Sequence, residues 1–293
     1  SAKWYCIRRR KEKVPSLARH EFSDMHENKS ALARSLGISR SSLYYKPKRE
    51  YRDSIVKDQI LTTLNEHPAY GYRRLALHLK MNKKRIQRVM RKYGIRPRIM
   101  RKKSRYGRKT SSSGVPHRIA GISPIAPNVI WAGDFTYLWY AGRYLYLATV
   151  IDTFTREVIG WQLGFHHTTR LVLDVLEEAV RKRSRTPEIF HSDQGSEYAS
   201  GACIEWLIRH HILPSHSPKG KPWKNGRQES FYSYFKLEFG KTNRYATLES
   251  LIEAIGRHIN YYNTSRIHSK LKMAPRAFYL QEMVMIQPSI PRP

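Results

Sequence analysis

From Val129 onward the chain changes character, and that change constrains the fold more than any other feature. Trp131–Tyr140, Arg143–Ile151 and Glu157–Leu163 are three β-rich runs separated by the turn signals Ala141-Gly142 and Asp152-Thr153. Alternating apolar positions and short turns predict an antiparallel meander. Helical periodicity follows over Thr168–Arg183, with Leu171, Val172, Val175, Leu176 and Ala179 on one face. A short strand at Glu188–His191, a helix at Gly201–His211 and another strand at Ile212–His216 come next. Arg227–Phe239 and Leu248–Tyr262 complete the pattern as helices.

The order β-β-β-α-β-α-β-α is that of a ribonuclease-H-like fold, an α/β arrangement with helices flanking a mixed sheet. The expected core spans residues 128–280, followed by a C-terminal tail at 281–293.

The residues before it read differently. Asn28–Tyr45 has the spacing of a helix-turn-helix: Ala31, Leu32 and Leu36 form a stripe that ends at Gly37, Ser39 caps, and Arg40–Tyr45 makes a short second helix. Arg40, Ser41 and Tyr44 are its candidate DNA contacts. Lys48–Arg52 reads as a linker, Ile55–His67 as a helix, and Gly71–Leu79 as another. Asn82 can cap a third helix, Lys83–Tyr93, on which Ile86, Val89, Met90 and Tyr93 share one arc. Lys84, Arg85, Arg88, Arg91 and Lys92 occupy the other arc, a face suited to phosphates or base edges. The expected order is therefore a basic segment (1–27), all-α helix-turn-helix units (28–47 and 48–95), a basic linker (96–127), and the catalytic core.

Charge supports a nucleic-acid partner. Of the formal net charge of +31, residues 1–120 carry most, with 33 Lys and Arg against 8 Asp and Glu. No carboxylate occurs between Glu66 and Asp134. Such a field repels itself and is relieved beside a polyanion, which points to nucleic acid rather than a solvated basic surface or a tail binding RNA or membrane without specificity. With the helix-turn-helix units, double-stranded DNA is the expected partner. No uncharged apolar run approaches the ~18 residues of a membrane span, and Arg8-Arg9-Arg10 cuts short any apolar leader at the N-terminus. Two cysteines, Cys6 and Cys203, give neither a disulfide framework nor a Cys-rich zinc site. A reducing, cytoplasmic setting is expected, in association with the nucleoid.

Three carboxylates stand out by placement. Asp134 lies inside the first strand among Phe135, Tyr137, Leu138 and Trp139, where an ionised group is costly unless compensated. Asp193 ends the fourth strand in His191-Ser192-Asp193-Gln194-Gly195, and Glu229 opens a helix in Asn225-Gly226-Arg227-Gln228-Glu229-Ser230-Phe231. Singly, each can be a structural strand, turn or helix-start carboxylate. Together, two Asp and one Glu form a hard oxygen donor set for Mg²⁺ or Mn²⁺. Two such ions serve in-line phosphoryl displacement. Lys236, seven residues past Glu229, falls on nearly the same helix face and can reach a DNA phosphate. Asp152 reads chiefly as a turn residue near Arg156, with a supporting role at the site as the alternative.

The spacing completes a resemblance. An Asp in a strand, a second in His-Ser-Asp, and 35 residues before Glu229 are similar to the D,D(35)E pattern of the DDE transposase and retroviral-integrase core superfamily. Trp131–Tyr137, Tyr146–Asp152, His191–Tyr198, Asn225–Phe231 and Tyr261–His268 resemble most closely the OrfB-type transposases of bacterial insertion sequences. That resemblance implies a magnesium-dependent enzyme, with two ions on Asp134, Asp193 and Glu229 and Mn²⁺ able to substitute. It implies binding of transposon ends and target DNA, cleavage, strand transfer by a 3′-hydroxyl, and a homo-oligomer of at least two copies. Asn225, Arg266, His191 and His268 fall within the matching segments as supporting or phosphate-contacting residues. A regulator with an inactive core and a structure-selective nuclease without strand transfer are the alternatives. Glu197 stands where relatives often have Gln, and Lys224 where many have Asp.

Overall fold

The computed structural model describes residues 29–35, 37, 39–44, 48–98, 115–119, 122–217 and 226–286. The basic segment 1–27, most of the linker and Asn225 lie outside the described residues. The chain divides into two compact units at Val56/Lys57.

The first unit holds α1 (Lys29–Ser35) and α2 (Arg40–Leu43). Between them Gly37 takes φ 61°, and its N–H donates to the Arg34 carbonyl at 3.1 Å. Ser39 precedes α2 in extended conformation without capping it through its side chain. Its hydroxyl instead meets those of Ser41 and Ser42 at 2.9 and 2.8 Å. The helix α3 (Lys48–Glu66) begins in this unit, so residues 48–52, expected as linker, are helical. No Gly or Pro interrupts them, and Glu50 in the first turn suits the helix dipole.

The second unit continues α3 and adds α4 (Tyr72–His78) and α5 (Lys83–Lys92). The Asn82 side chain caps α5 by accepting from the Lys84 N–H at 2.8 Å. Ile86, Val89 and Met90 are buried as their periodicity predicts. Tyr93, expected with them, is exposed because it has already left helical geometry at the C-cap. It sits instead beneath the ammonium groups of Lys57 and Lys92, at 5.6 and 5.3 Å.

The strands β1 (Ile130–Tyr140), β2 (Arg143–Asp152) and β3 (Val158–Gly164) form the antiparallel meander. After α6 (Thr169–Arg183), β4 (Ile189–Ser192) pairs parallel to β1. After α7 (Gly201–Arg209), β5 (Leu213–His216) extends the sheet, giving the order β3-β2-β1-β4-β5. Then come α8 (Gly226–Phe239), a 3₁₀ turn (Thr242–Arg244), α9 (Leu248–Thr264) and α10 (Pro275–Ile286). This is the expected ribonuclease-H-like order. The last helix runs past residue 280.

Strand alternation makes two cores, one on each face of the sheet. Ala148 and Val150 face α6 and α7 with Trp131, Val175, Leu176 and Leu207. Leu147 and Ile151 face α8 and α9 with Phe231, Phe235, Ile255 and Ile259. Each fully buried side chain of this size contributes about 1.5–3 kcal/mol. At Gly133 a Cβ would run into the Phe190 ring, so only glycine lets β4 and its following loop close on the residue before Asp134.

The α3–α4 region packs directly on the core. His67 Nδ1 and the Tyr261 hydroxyl lie 2.7 Å apart, and the Ile267 N–H donates to the Tyr70 hydroxyl at 2.7 Å. The Tyr234 ring, on α8, lies between the guanidinium groups of Arg74 at 4.7 Å and Arg266 at 4.4 Å.

Candidate active site

Register brings the two aspartates to one edge of the sheet. Ala132 of β1 pairs with His191 of β4, so Asp134 and Asp193 each lie two residues farther along parallel neighbours. Asp134 is half-buried and opposite Thr149 across the β1–β2 ladder. The Phe135 N–H donates to its Oδ1 at 2.8 Å. Asp193 follows β4 directly and accepts from the Gly195 N–H at 3.0 Å.

Glu229 reaches the same region because α8 is pinned by its neighbour. Gln228 is fully buried, and its Nε2 donates to the carbonyl oxygens of Ala132 at 2.5 Å and Thr149 at 3.3 Å. The Thr149 hydroxyl donates in turn to Gln228 Oε1 at 3.1 Å. Gln228 therefore ties the first turn of α8 to β1 and β2 and leaves Glu229 exposed beside Asp134. Sequence reasoning missed Gln228; the only hint was a polar residue preceding Glu229 at the helix start.

Electrostatics records the convergence. Burial holds the Asp134 carboxyl well above the usual carboxylate range; the nearby charges of Asp193 and Glu229 push it further, while the Phe135 N–H and the Lys236 cation oppose the shift. Asp193 is raised as well, first by loss of water and then by Glu197, against the Gly195 N–H. Lys236, half-buried two turns along α8, is thus electrically part of this group. Among the described residues, no three His, Cys, Asp or Glu side chains are gathered closely enough to hold a metal ion. The three carboxylates share a field without forming such a cluster.

The other sequence candidates fall into distinct surroundings. Asp152 is fully buried; it accepts from the N–H groups of Asn128, Phe154 and Thr155 and lies 3.8 Å from Arg183. It closes the turn after β2. His191 is buried between the hydroxyls of Ser215 and Ser217, and burial lowers its pKa to about 3, so it is a neutral bridge between β4 and β5. Arg266 is fully buried and its Nε donates to both carboxylate oxygens of Glu238 at 2.8 Å. His268 is lowered to about 4, first by burial and then by Arg156 and Arg266. Its backbone N–H donates to Met273.

Of the candidate DNA contacts, Arg40, Ser41 and Tyr44 are exposed on and just after α2 in the first unit. In the second, Lys84, Arg85, Arg91 and Lys92 are exposed along α5, and Arg88 is half-buried. No helix of the described residues is long and apolar enough to cross a membrane.

Known proteins resemble this chain in sequence over most of its length. Two integrase core domain families match, one over residues 124–222 and the other over residues 210–275. The transposase of insertion sequence element IS904 from Lactococcus lactis is 34% identical over 76% of this chain and 92% of its own length. The transposase InsF of IS3A from Escherichia coli is 30% identical over 82% of this chain and 89% of its own. Among solved structures, the catalytic core domain of HTLV-2 integrase in complex with magnesium matches 54% of this chain with a TM-score of 0.42 and 20% identity.

Proposed function

This chain belongs to the OrfB-type transposases of bacterial insertion sequences, with an integrase core, and from that premise we propose that it cleaves DNA at the ends of its element and joins the freed 3′-hydroxyl to another strand. The observation that carries this reading is geometric: register sets Asp134 and Asp193 two residues beyond the Ala132–His191 pair, and Gln228 ties the helix start bearing Glu229 to Ala132. Repulsion among carboxylates is relieved by a bound cation, and the donor set is all oxygen, which fits a hard divalent ion. Asp134, Asp193 and Glu229 would hold two Mg²⁺ ions, with Mn²⁺ able to substitute. Bound there, the metal supplies Lewis-acid stabilisation of the reacting phosphate and an activated oxygen nucleophile at neutral pH.

The chain's own residues do the rest. Gln228 and Tyr232 fix α8 on β1, so that Glu229 stays in register with Asp134. Lys236 offers a point charge to a phosphate beside the scissile one. The exposed cations of α5, Lys84, Arg85, Arg91 and Lys92, bind the DNA backbone with Arg88 beside them. We read α1 and α2 as a helix-turn-helix in which Arg40, Ser41 and Tyr44 face DNA. The protein would act on two DNA ends within an assembly of at least two copies.

The test is incubation of the purified chain with duplex DNA carrying the element's own end, a target duplex and Mg²⁺. End cleavage followed by end-to-target joining, both abolished by a chelator, is the expected result. Binding without any cleavage would favour a regulator, and cleavage without joining a nuclease.

A further inference from the structure

The β1–β2 hairpin carries a cluster of exposed aromatic side chains that continues one core face of the sheet. Leu138 and Leu145 point into the core, while Tyr137, Trp139 and Tyr144 are 41%, 48% and 55% exposed. By strand alternation these rings share the face of Trp131, Phe135 and Ala148, past the part of it buried in the core, and clustered exposed apolar surface marks a binding site. Cross-strand register pairs Tyr137 with Tyr146 and Trp139 with Tyr144. Ring centroids lie 4.8 Å apart for Trp139–Tyr144, 6.2 Å for Tyr137–Tyr144 and 5.3 Å for Tyr137–Tyr146, all edge-on rather than stacked. The strip continues to His167, whose ring is 4.9 Å from that of Tyr146. His167 Nδ1 bonds Glu197 Oε1. A Cβ placed on Gly195 would lie 3.0 Å from Glu197 Oε2 and 3.1 Å from Asp193 Oδ1, so the strip ends beside the carboxylate group.

We propose that the strip Trp139–Tyr144–Tyr137–Tyr146 is a stacking platform for unpaired nucleotides of the DNA strand being processed at Asp134 and Asp193. The inference rests on the DNA-processing reading above. Every base has a π face, so aromatic platforms take single strands with little regard to sequence. No carboxylate belongs to the strip before Glu197, and the strip leads to Asp193 through Glu197 and Gly195, so its occupant is the strand handled at that site rather than a peptide. Bases that leave the duplex stack at a strand end need a surface to stack on, and the strip supplies one.

The experiment compares two probes on the full chain at one salt concentration: a thymidine oligonucleotide of about 12 residues, within single-strand site sizes, and an abasic strand of equal length and charge. Trp139→Ala and Tyr144→Ala should each weaken binding of the thymidine strand about tenfold, a loss in the range of base–aromatic stacking. Binding of the abasic strand should stay within about twofold, because its phosphate contacts are untouched. Trp139→Phe and Tyr144→Phe should retain most of the affinity, and thermal melting of each variant checks that it is folded. Equal loss on both probes, or unchanged thymidine binding by a folded variant, overturns the platform. So does a fall in sedimentation coefficient with nucleotide binding intact, since the strip would then be a contact between copies. A wild-type chain that binds thymidine through these rings yet never cleaves DNA would sink the proposed function and leave the platform standing.

Discussion

The hydroxyl of Tyr232 donates to the backbone oxygen of Asp134 at 2.5 Å. Tyr232 is three residues past Glu229 on α8, so this bond ties the strand of one candidate ligand to the helix of another. Thr149 completes the arrangement, with its Oγ1 2.8 Å from the same hydroxyl.

Tyr232→Phe should therefore cost activity as well as stability. The ring stays in the core, while the hydrogen-bond loss costs about 1–3 kcal/mol of stability. Joining by the variant should fall about tenfold, equivalent to ~1.4 kcal/mol of positioning. Single-turnover joining and urea denaturation, measured side by side, check this. A rate within twofold of wild type would mean that Glu229 does not depend on the tie.

A second expectation concerns the far end of β2, where a buried charge cluster holds the turn. Arg183 is fully buried, 2.8 Å from Glu157 and 3.8 Å from Asp152. Arg183→Leu leaves two buried carboxylates without that cation and should destabilise the fold by about 3–5 kcal/mol. Chemical denaturation measures it. A loss below about 1 kcal/mol would contradict the cluster's structural role.

Lys236→Ala tests the cation that opposes the Asp134 shift. Joining at saturating DNA should fall at least about tenfold, ~1.4 kcal/mol, with Lys236→Arg recovering part. Stability should hardly change. A near-wild-type rate for the alanine variant would return this lysine to a surface role.

Stability should also fall as pH drops. Burial lowers His258 and His268 to about 4, against an ordinary value near 6.5. Below about 6.5 the unfolded chain takes up protons that the folded chain refuses, so each histidine costs up to about 1.4 kcal/mol per pH unit until its folded pKa is reached. Above pH 6.5 neither contributes a slope. Urea midpoints between pH 7 and 4.5 should decline, less steeply for His268→Leu. An identical slope in that variant would show that His268 titrates normally in the fold.

Much of the fold was legible because its signals are local. The meander and α6 were written in alternation and periodicity, and the two aspartates were visible because each interrupts or ends an apolar strand. What escaped depends on distant partners. Gln228 gives no local sign that it bonds Ala132 and Thr149, 96 and 79 residues away. Arg266 reads as a surface cation until Glu238 and Tyr234 enclose it. The helix Pro275–Ile286 was missed because Val284, Met285 and Ile286 remain exposed, so no apolar stripe marks it. The register that sets Asp134 beside Asp193 lies in pairing between β1 and β4, which no single segment encodes.

The central claim is that Asp134, Asp193 and Glu229 act as one metal-holding unit, and isosteric neutralisation tests it most directly. Asp134→Asn, Asp193→Asn and Glu229→Gln should each abolish single-turnover cleavage and joining of the element's ends in Mg²⁺, while binding to those ends stays nearly intact. Near-wild-type joining by any one of the three variants would contradict the account.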